Sequence, residues 1–263
     1  MIRMIEIRNF ASKAIINEVG AYVEKIVINS KDILLHGNIN NPTHSGMAIL
    51  VPFANRIKGG EYEFNGKKYF LNKNSEGNAI HGLVVNKRFE VINKSSNSIT
   101  LSYNLKDNGY PSELNINIKY VINRESFDVE FLIKNVGSNE APLTVGAHPY
   151  FIIEDSWKIN PTQVKKCVSI NKIPTGELID YEIEGNKEYD DCFYIGNQVK
   201  LDSKYSTIII KTIKMPYFQI YTGIKGAVAL EPMSGAPDAY HNYIGLDLIK
   251  SGEIKNYGFT IYS

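Results

Sequence analysis

Long runs of strict period-two alternation limit this chain more than any other feature. Ile99, Leu101 and Tyr103 alternate with Ser98, Thr100 and Ser102. Leu114, Ile116, Ile118 and Tyr120 alternate with Asn115, Asn117 and Lys119, and Phe127, Val129, Phe131 and Ile133 share a face opposite Asp128 and Glu130. Successive side chains of a strand point to opposite faces, so such runs make strands with one buried face. Tyr62 to Phe70 reads as a hairpin, because Asn65-Gly66 supplies the positive φ angles of a type I′ turn. Ile208-Ile209-Ile210 and Ala227 to Leu230 read as strands buried on both faces. No stretch keeps helical periodicity over three turns, and no repeat, linker or low-complexity tract interrupts the pattern. The expectation is one all-β domain over residues 1–263, built as a large antiparallel β-sandwich.

Composition narrows the function. The 263 residues carry 29 basic and 28 acidic side chains, a net charge of +1 that offers no field for a polyanion. Nucleic acid is therefore not an expected partner. Lys67-Lys68 and Lys165-Lys166 read as solvated surface. Two cysteines, Cys167 and Cys192, do not make a disulfide framework or a metal knuckle. Met1 to Glu6 alternates apolar with charged residues and has no apolar core of signal-peptide length. The longest apolar stretch, Met47 to Ala54, is too short to span a bilayer. A cytoplasmic protein with no membrane partner, no metal and no cofactor is expected.

Four polar, turn-rich segments break the strand rhythm. In Pro52-Phe53-Ala54-Asn55-Arg56-Ile57, Arg56 follows an apolar strand and could fork hydrogen bonds to adjacent hydroxyls, or form a surface ion pair. In Asn78-Ala79-Ile80-His81-Gly82, His81 could donate, accept or titrate, or be an ordinary loop residue. In Gly146-Ala147-His148-Pro149-Tyr150-Phe151, Pro149 forces His148 towards an extended conformation among aromatics, where it could serve a sugar site or be a satisfied core histidine. In Leu230 to Asp238, Glu231 falls at the expected end of an apolar strand, where partial desolvation would raise its pKa from about 4.3 towards neutrality and suit it to general-base work. The competing reading of Glu231 is an edge-strand charge that resists aggregation.

The order of these segments resembles the aldose 1-epimerase (galactose mutarotase) family. Asn55-Arg56-Ile57 followed by Gly59-Gly60 and a hairpin resembles the family's Asn-Arg-Ile segment, and His81-Gly82 its Asn-Ala-Leu-His-Gly element. His148-Pro149-Tyr150-Phe151 matches the family's His-Pro-Tyr-Phe. Asp190-Asp191-Cys192-Phe193 resembles an Asp-His-Xaa-Phe element, Phe218 to Gly223 a Gln-aromatic-Tyr-Thr-Gly strand, and Glu231-Pro232 the family's C-terminal Glu. The resemblance spans residues 50 to 263 and implies the galactose mutarotase-like supersandwich. There are departures: Ile152 stands where the family has Asn, Asp191 where it has His, and the chain is shorter than typical galactose mutarotases.

The resemblance implies cofactor-free interconversion of the α and β anomers of a free hexose. Glu231 would take the proton of the C1 hydroxyl and His148, near its reference pKa of about 6.5, would protonate the ring oxygen. The ring opens, the aldehyde end rotates and the ring recloses on its other face. His81 and Arg56 would hold the ring oxygen and adjacent hydroxyls, Asp190 (rather than Asp191) and Gln219 would bind hydroxyls further round the ring, and Asn55 and Tyr150 would line the site. The partner is then a small sugar, and the protein a monomer or homodimer. Alternatives are a hexose-6-phosphate epimerase using Lys58, Lys87 or Arg88 at the rim, a non-catalytic carbohydrate binder, a two-carboxylate glycosidase using Glu231 and Asp190, and a metal site of His81, His148 and Glu231.

Overall fold

A computed structural model describes residues 3–263, so Met1 and Ile2 of the N-terminal alternating run lie outside the described residues. Two large antiparallel sheets carry the chain. The first has 11 strands and runs Met4–Asn9, Ser12–Asn17, Val23–Ile28, Met47–Leu50, Gly146–Ile152, Ala227–Met233, Tyr217–Tyr221, Asp190–Tyr194, Gln163–Ile170, Ile173–Glu182, with the short Lys31–Asp32 paired to Val23–Ile28. The second has 8 strands: Glu90–Lys94, Ser98–Leu105, Leu114–Ile122, Ser126–Asn135, Ile254–Tyr262, Thr207–Ile213, Gln198–Ser203 and Trp157–Asn160. Both sheets contribute to one apolar cluster, Ile16, Val23, Ala147 and Phe218 from the first, Ile118, Phe131 and Ile261 from the second. This is the sandwich that the alternation predicts.

The alternating runs behave as read. Leu114–Ile122 buries every second residue and pairs residue for residue with Ser126–Asn135, Ile118 opposite Phe131. The Asn65-Gly66 turn joins Glu61–Phe64 to Lys67–Phe70, with φ of 50° and 72° at the turn residues. Ala227–Met233 is buried throughout, as expected of a strand covered on both faces.

Two expectations are corrected. Thr207–Ile213 buries Ile208 and Ile210 but leaves Ile209 part-exposed, because it belongs to the smaller sheet, whose outer face meets solvent. Glu231 is neither at a strand end nor on an edge. The strand continues through Pro232 to Met233, and Glu231 sits mid-sheet between the Gly146–Ile152 and Tyr217–Tyr221 strands. The proline that suggested a stop is accommodated opposite Phe218. Among the described residues, no helix is long and apolar enough to cross a membrane.

Candidate active site

The strand period that builds the core also builds the site. On the central strands of the larger sheet, Ala147, Phe151, Val228, Leu230, Phe218, Ile220 and Phe193 point into the sandwich core. Their alternates point to the other face. There Gln219 pairs with Glu231 on one side and with Cys192 on the other. The register that sets Gly146 against Met233 and Tyr150 against Ala229 puts His148 opposite Glu231. A second row, two residues along, holds Tyr150, Ala229, Tyr221 and Asp190. Four adjacent strands thus deliver His148, Glu231, Gln219, Tyr150 and Asp190 to one surface.

Two loops bring the remaining groups. Arg56 and Ile57 pair with Ile80 and Ala79 in a short ladder, closed by the His81 amide donating to the Asn55 carbonyl at 2.8 Å. Asn55 and His81, which flank this ladder, have φ of 57° and 64°, the left-handed region that few non-glycine residues occupy. Such backbone is kept where surrounding contacts dictate it, and here it turns both side chains towards the sheet. Asp238 anchors the ladder from behind: its amide donates to the Arg56 carbonyl at 2.7 Å and its Oδ1 accepts from the Lys58 amide at 2.8 Å.

Gly82 follows at φ 76°, where a Cβ would meet the Val51 carbonyl oxygen at 2.4 Å. Gly82→Ala combines left-handed strain with a backbone overlap, and a loss of at least about 2 kcal/mol is expected. At about 2–4 °C per kcal/mol for a chain of this size, thermal denaturation should show a clear fall in midpoint.

The groups converge on a cavity of about 300 Å³ lined by Asn55, Arg56, His81, His148, Tyr150, Asp190 and Glu231, together with Thr43, His44, Asn74, Ser75, Glu76, Ile80, Lys172 and Tyr221. That volume is at the small end of ligand pockets. His148 Nε2 lies 3.3 Å from Glu231 Oε1. The His81 and His148 rings meet edge to face at 5.2 Å, and Tyr150 stacks on His148 at 4.8 Å. Gln219 Nε2 donates to Asp190 Oδ1 at 2.7 Å. Arg56 donates to Asn55 Oδ1 and to Glu76 Oε2, both at 3.1 Å, and approaches Asp190 Oδ2 at 3.9 Å.

The expected catalytic and sugar-binding residues all line this cavity except Gln219, which lies beside it between Glu231 and Asp190. Of the two neighbouring aspartates, Asp190 faces it, whereas Asp191 projects to the opposite face and pairs with Lys166 at 2.8 Å. Lys58, Lys87 and Arg88 do not line it, and Arg88 pairs with Glu18 at 2.9 Å. The cation at the rim is instead Lys172, which with Glu76 was not singled out from sequence. Both sit in turns whose neighbours in space come from distant parts of the chain. Among the described residues, no group of three or more His, Cys, Asp or Glu is arranged to hold a metal ion.

Burial sets the protonation states. Desolvation pushes the Glu231 carboxyl well above its ordinary value, and the nearby Asp190 charge adds to the rise while Arg56 opposes it. Desolvation also holds His148 well below the usual histidine range, with His81 and His44 contributing. This corrects the expectation of a His148 near its reference value: a ring sealed between Tyr150, His81 and the sheet loses the water that would solvate its cation. His81 is lowered to about 3 by burial and the Arg56 charge. Four buried polar atoms here have no protein partner: His81 Nδ1, His148 Nδ1, Gln219 Oε1 and Glu231 Oε2. Unmatched buried polar groups are costly, so these four atoms need hydrogen-bonding partners in the cavity, from water or from a polar ligand.

The chain belongs to the aldose 1-epimerase family, whose sequence profile matches residues 3–262. It is 29% identical over 247 residues to the uncharacterized protein YihR of Escherichia coli K12, covering 81% of this chain and 78% of that one. It is 30% identical over 156 residues to human galactose mutarotase, covering 55% of this chain and 45% of that one. A crystal structure from Escherichia coli K12, of a protein provisionally named an aldose 1-epimerase, has the same fold. Its TM-score is 0.87 at 19% identity, and the match covers 100% of this chain and 99% of that one.

Proposed function

We propose that this chain interconverts the α and β anomers of a free, uncharged aldose, with Glu231 and His148 exchanging protons with the substrate. The observation that carries this reading is the 3.3 Å approach of His148 Nε2 to Glu231 Oε1 on one face of the sheet, inside a monosaccharide-sized cavity. Anomer exchange needs one group that accepts the C1 hydroxyl proton and one that gives a proton to the ring oxygen. A pair that holds one proton between two adjacent atoms supplies both.

The opposed pKa directions define that proton. In the empty cavity it rests on Glu231, with His148 neutral, because neither charge is then buried. The form needed for ring opening, Glu231 ionised and His148 protonated, contains the same number of protons. Hydroxyls of a bound sugar, donating to the carboxylate, shift the proton to His148 without exchange with solvent. Glu231 then takes the C1 hydroxyl proton while His148 protonates the ring oxygen, and the ring opens. Arg56, His81 and Asn55 hold the oxygens around the reacting carbon. Gln219 and Asp190 take hydroxyls further round the ring, and Tyr150 offers an aromatic face.

Charge balance favours an uncharged substrate over a hexose 6-phosphate. The two cations at the cavity, Arg56 and Lys172, are matched in charge by Glu76 and Asp190, so no net positive charge remains there to attract a phosphate dianion. The test is to follow freshly dissolved α-glucose, α-galactose and α-glucose 6-phosphate by polarimetry. Faster approach to anomeric equilibrium is expected for a free hexose, with little effect on the phosphate ester. Progress curves that match the blank for every common aldose would refute the enzymatic reading, and preference for the phosphate would refute the substrate class.

A further inference from the structure

Lys172 sits at the tip of the hairpin that joins Gln163–Ile170 to Ile173–Glu182 and closes a ring of charge over the cavity mouth. Arg56 Nε is 3.1 Å from Glu76 Oε2, Glu76 Oε1 is 3.2 Å from Lys172 Nζ, Lys172 Nζ is 3.1 Å from Asp190 Oδ2, and Asp190 Oδ2 is 3.9 Å from Arg56 Nη2. We propose that Lys172 is a substrate-contacting residue that determines specificity, donating a hydrogen bond to a ring hydroxyl remote from C1. This rests on the sugar-binding reading above and adds to it a residue and a selectivity.

Three observations support the assignment. An ammonium has three donors, and here two are used on Glu76 and Asp190, leaving one for a ligand in the cavity that Lys172 lines. Position fixes which part of the sugar it meets. From the reacting pair, Glu231 leads to Gln219, Gln219 donates to Asp190, and Asp190 pairs with Lys172. A ring with C1 at His148 and Glu231 therefore presents its far side to Asp190 and Lys172.

Backbone conformation supplies the third. Asn171 and Lys172 have φ of 49° and 66°, a turn geometry that Asn65 and Gly66 share at 50° and 72°. Glycine is the residue this second position favours, and it stands there at Gly66. A long side chain at φ 66° is tolerated at an energetic cost. The opposing turn is shaped to receive it: Asn74 Oδ1 accepts from the amides of Glu76 and Asn78 at 3.0 and 3.1 Å, and the resulting tight loop presents the Glu76 carboxylate to Lys172. With Lys172 and Glu76 46% and 41% exposed, the pair contributes little to folding and can part readily for a ligand.

Lys172→Gly tests this directly, because it removes the ammonium while placing the favoured residue at a left-handed position. The thermal midpoint is expected to stay at or slightly above that of wild type. KM for the best free hexose should rise about tenfold with little change in kcat, the pattern of lost uniform binding. Monodeoxy analogues then locate the contact. Removing one remote hydroxyl should raise KM about tenfold for wild type and hardly at all for Lys172→Gly. An unchanged KM for the parent sugar, or the same deoxy penalty in both proteins, overturns the assignment. Sugar affinity measured by NMR titration separates the two readings. Wild type that binds hexose with this Lys172 dependence but does not turn it over supports the contact and refutes only the epimerase. Wild type that binds no sugar refutes both.

Discussion

Glu231→Gln should lower kcat by about 10²- to 10⁴-fold, the usual contribution of one positioned proton transfer, while sugar affinity stays near that of wild type. The amide is the same size and keeps hydrogen-bonding capacity, but it cannot hold the exchangeable proton. The same variant should be more stable than wild type, by an amount that grows with pH. Glu231 has a folded-state pKa well above its ordinary value. Its contribution to stability is therefore fully present below the unfolded value and is lost as pH rises through the folded one. Gln has no such loss. Chemical denaturation of the two proteins should give a small difference at pH 4 that widens in favour of Glu231→Gln towards neutral pH. A difference that shrinks with pH would mean that the carboxylate is well solvated or well paired, against the burial seen here.

His148→Asn should cost a similar 10²- to 10⁴-fold in kcat, because ring opening then lacks its acid. Tyr150 loses a stacking partner in this variant, so substrate affinity should fall as well. The pH dependence of the wild type follows from the shared proton. Turnover requires one proton on the pair and is indifferent to which group holds it at rest. The profile should be flat over the range in which the pair is singly protonated, falling on the acid side when both groups are protonated and on the alkaline side when neither is. Those limits belong to the pair and not to either residue. A profile with a single inflection near the ordinary histidine value would contradict this account, because it would require a solvated His148.

Much of the fold is legible in the sequence because a strand's period is a local property. Leu114 to Tyr120 and Phe127 to Ile133 announce both their conformation and their buried face. The same period is silent where both faces are buried. In Ala227–Met233 every residue is buried, so nothing local distinguishes Leu230, which faces the sandwich core, from Glu231, which faces the cavity. The site residues were reached through ordered motifs, and those carry no distances. They could not show that Asp191 turns away, that burial depresses His148, or that Pro232 lies within a strand. Lys172 and Glu76 were missed for a related reason. The Asn171-Lys172 turn is recognisable between Ile170 and Ile173, but what lies beneath its tip is set by a strand some twenty residues on and by a loop about a hundred residues earlier.

The most direct measurement is a crystal structure of the Glu231→Gln protein soaked with the best free hexose. The account predicts the C1 hydroxyl within hydrogen-bonding distance of residue 231, the ring oxygen facing His148 Nε2, and the far hydroxyls at Asp190. A sugar seated with C1 turned away from residues 148 and 231, or bound outside this cavity, would contradict it.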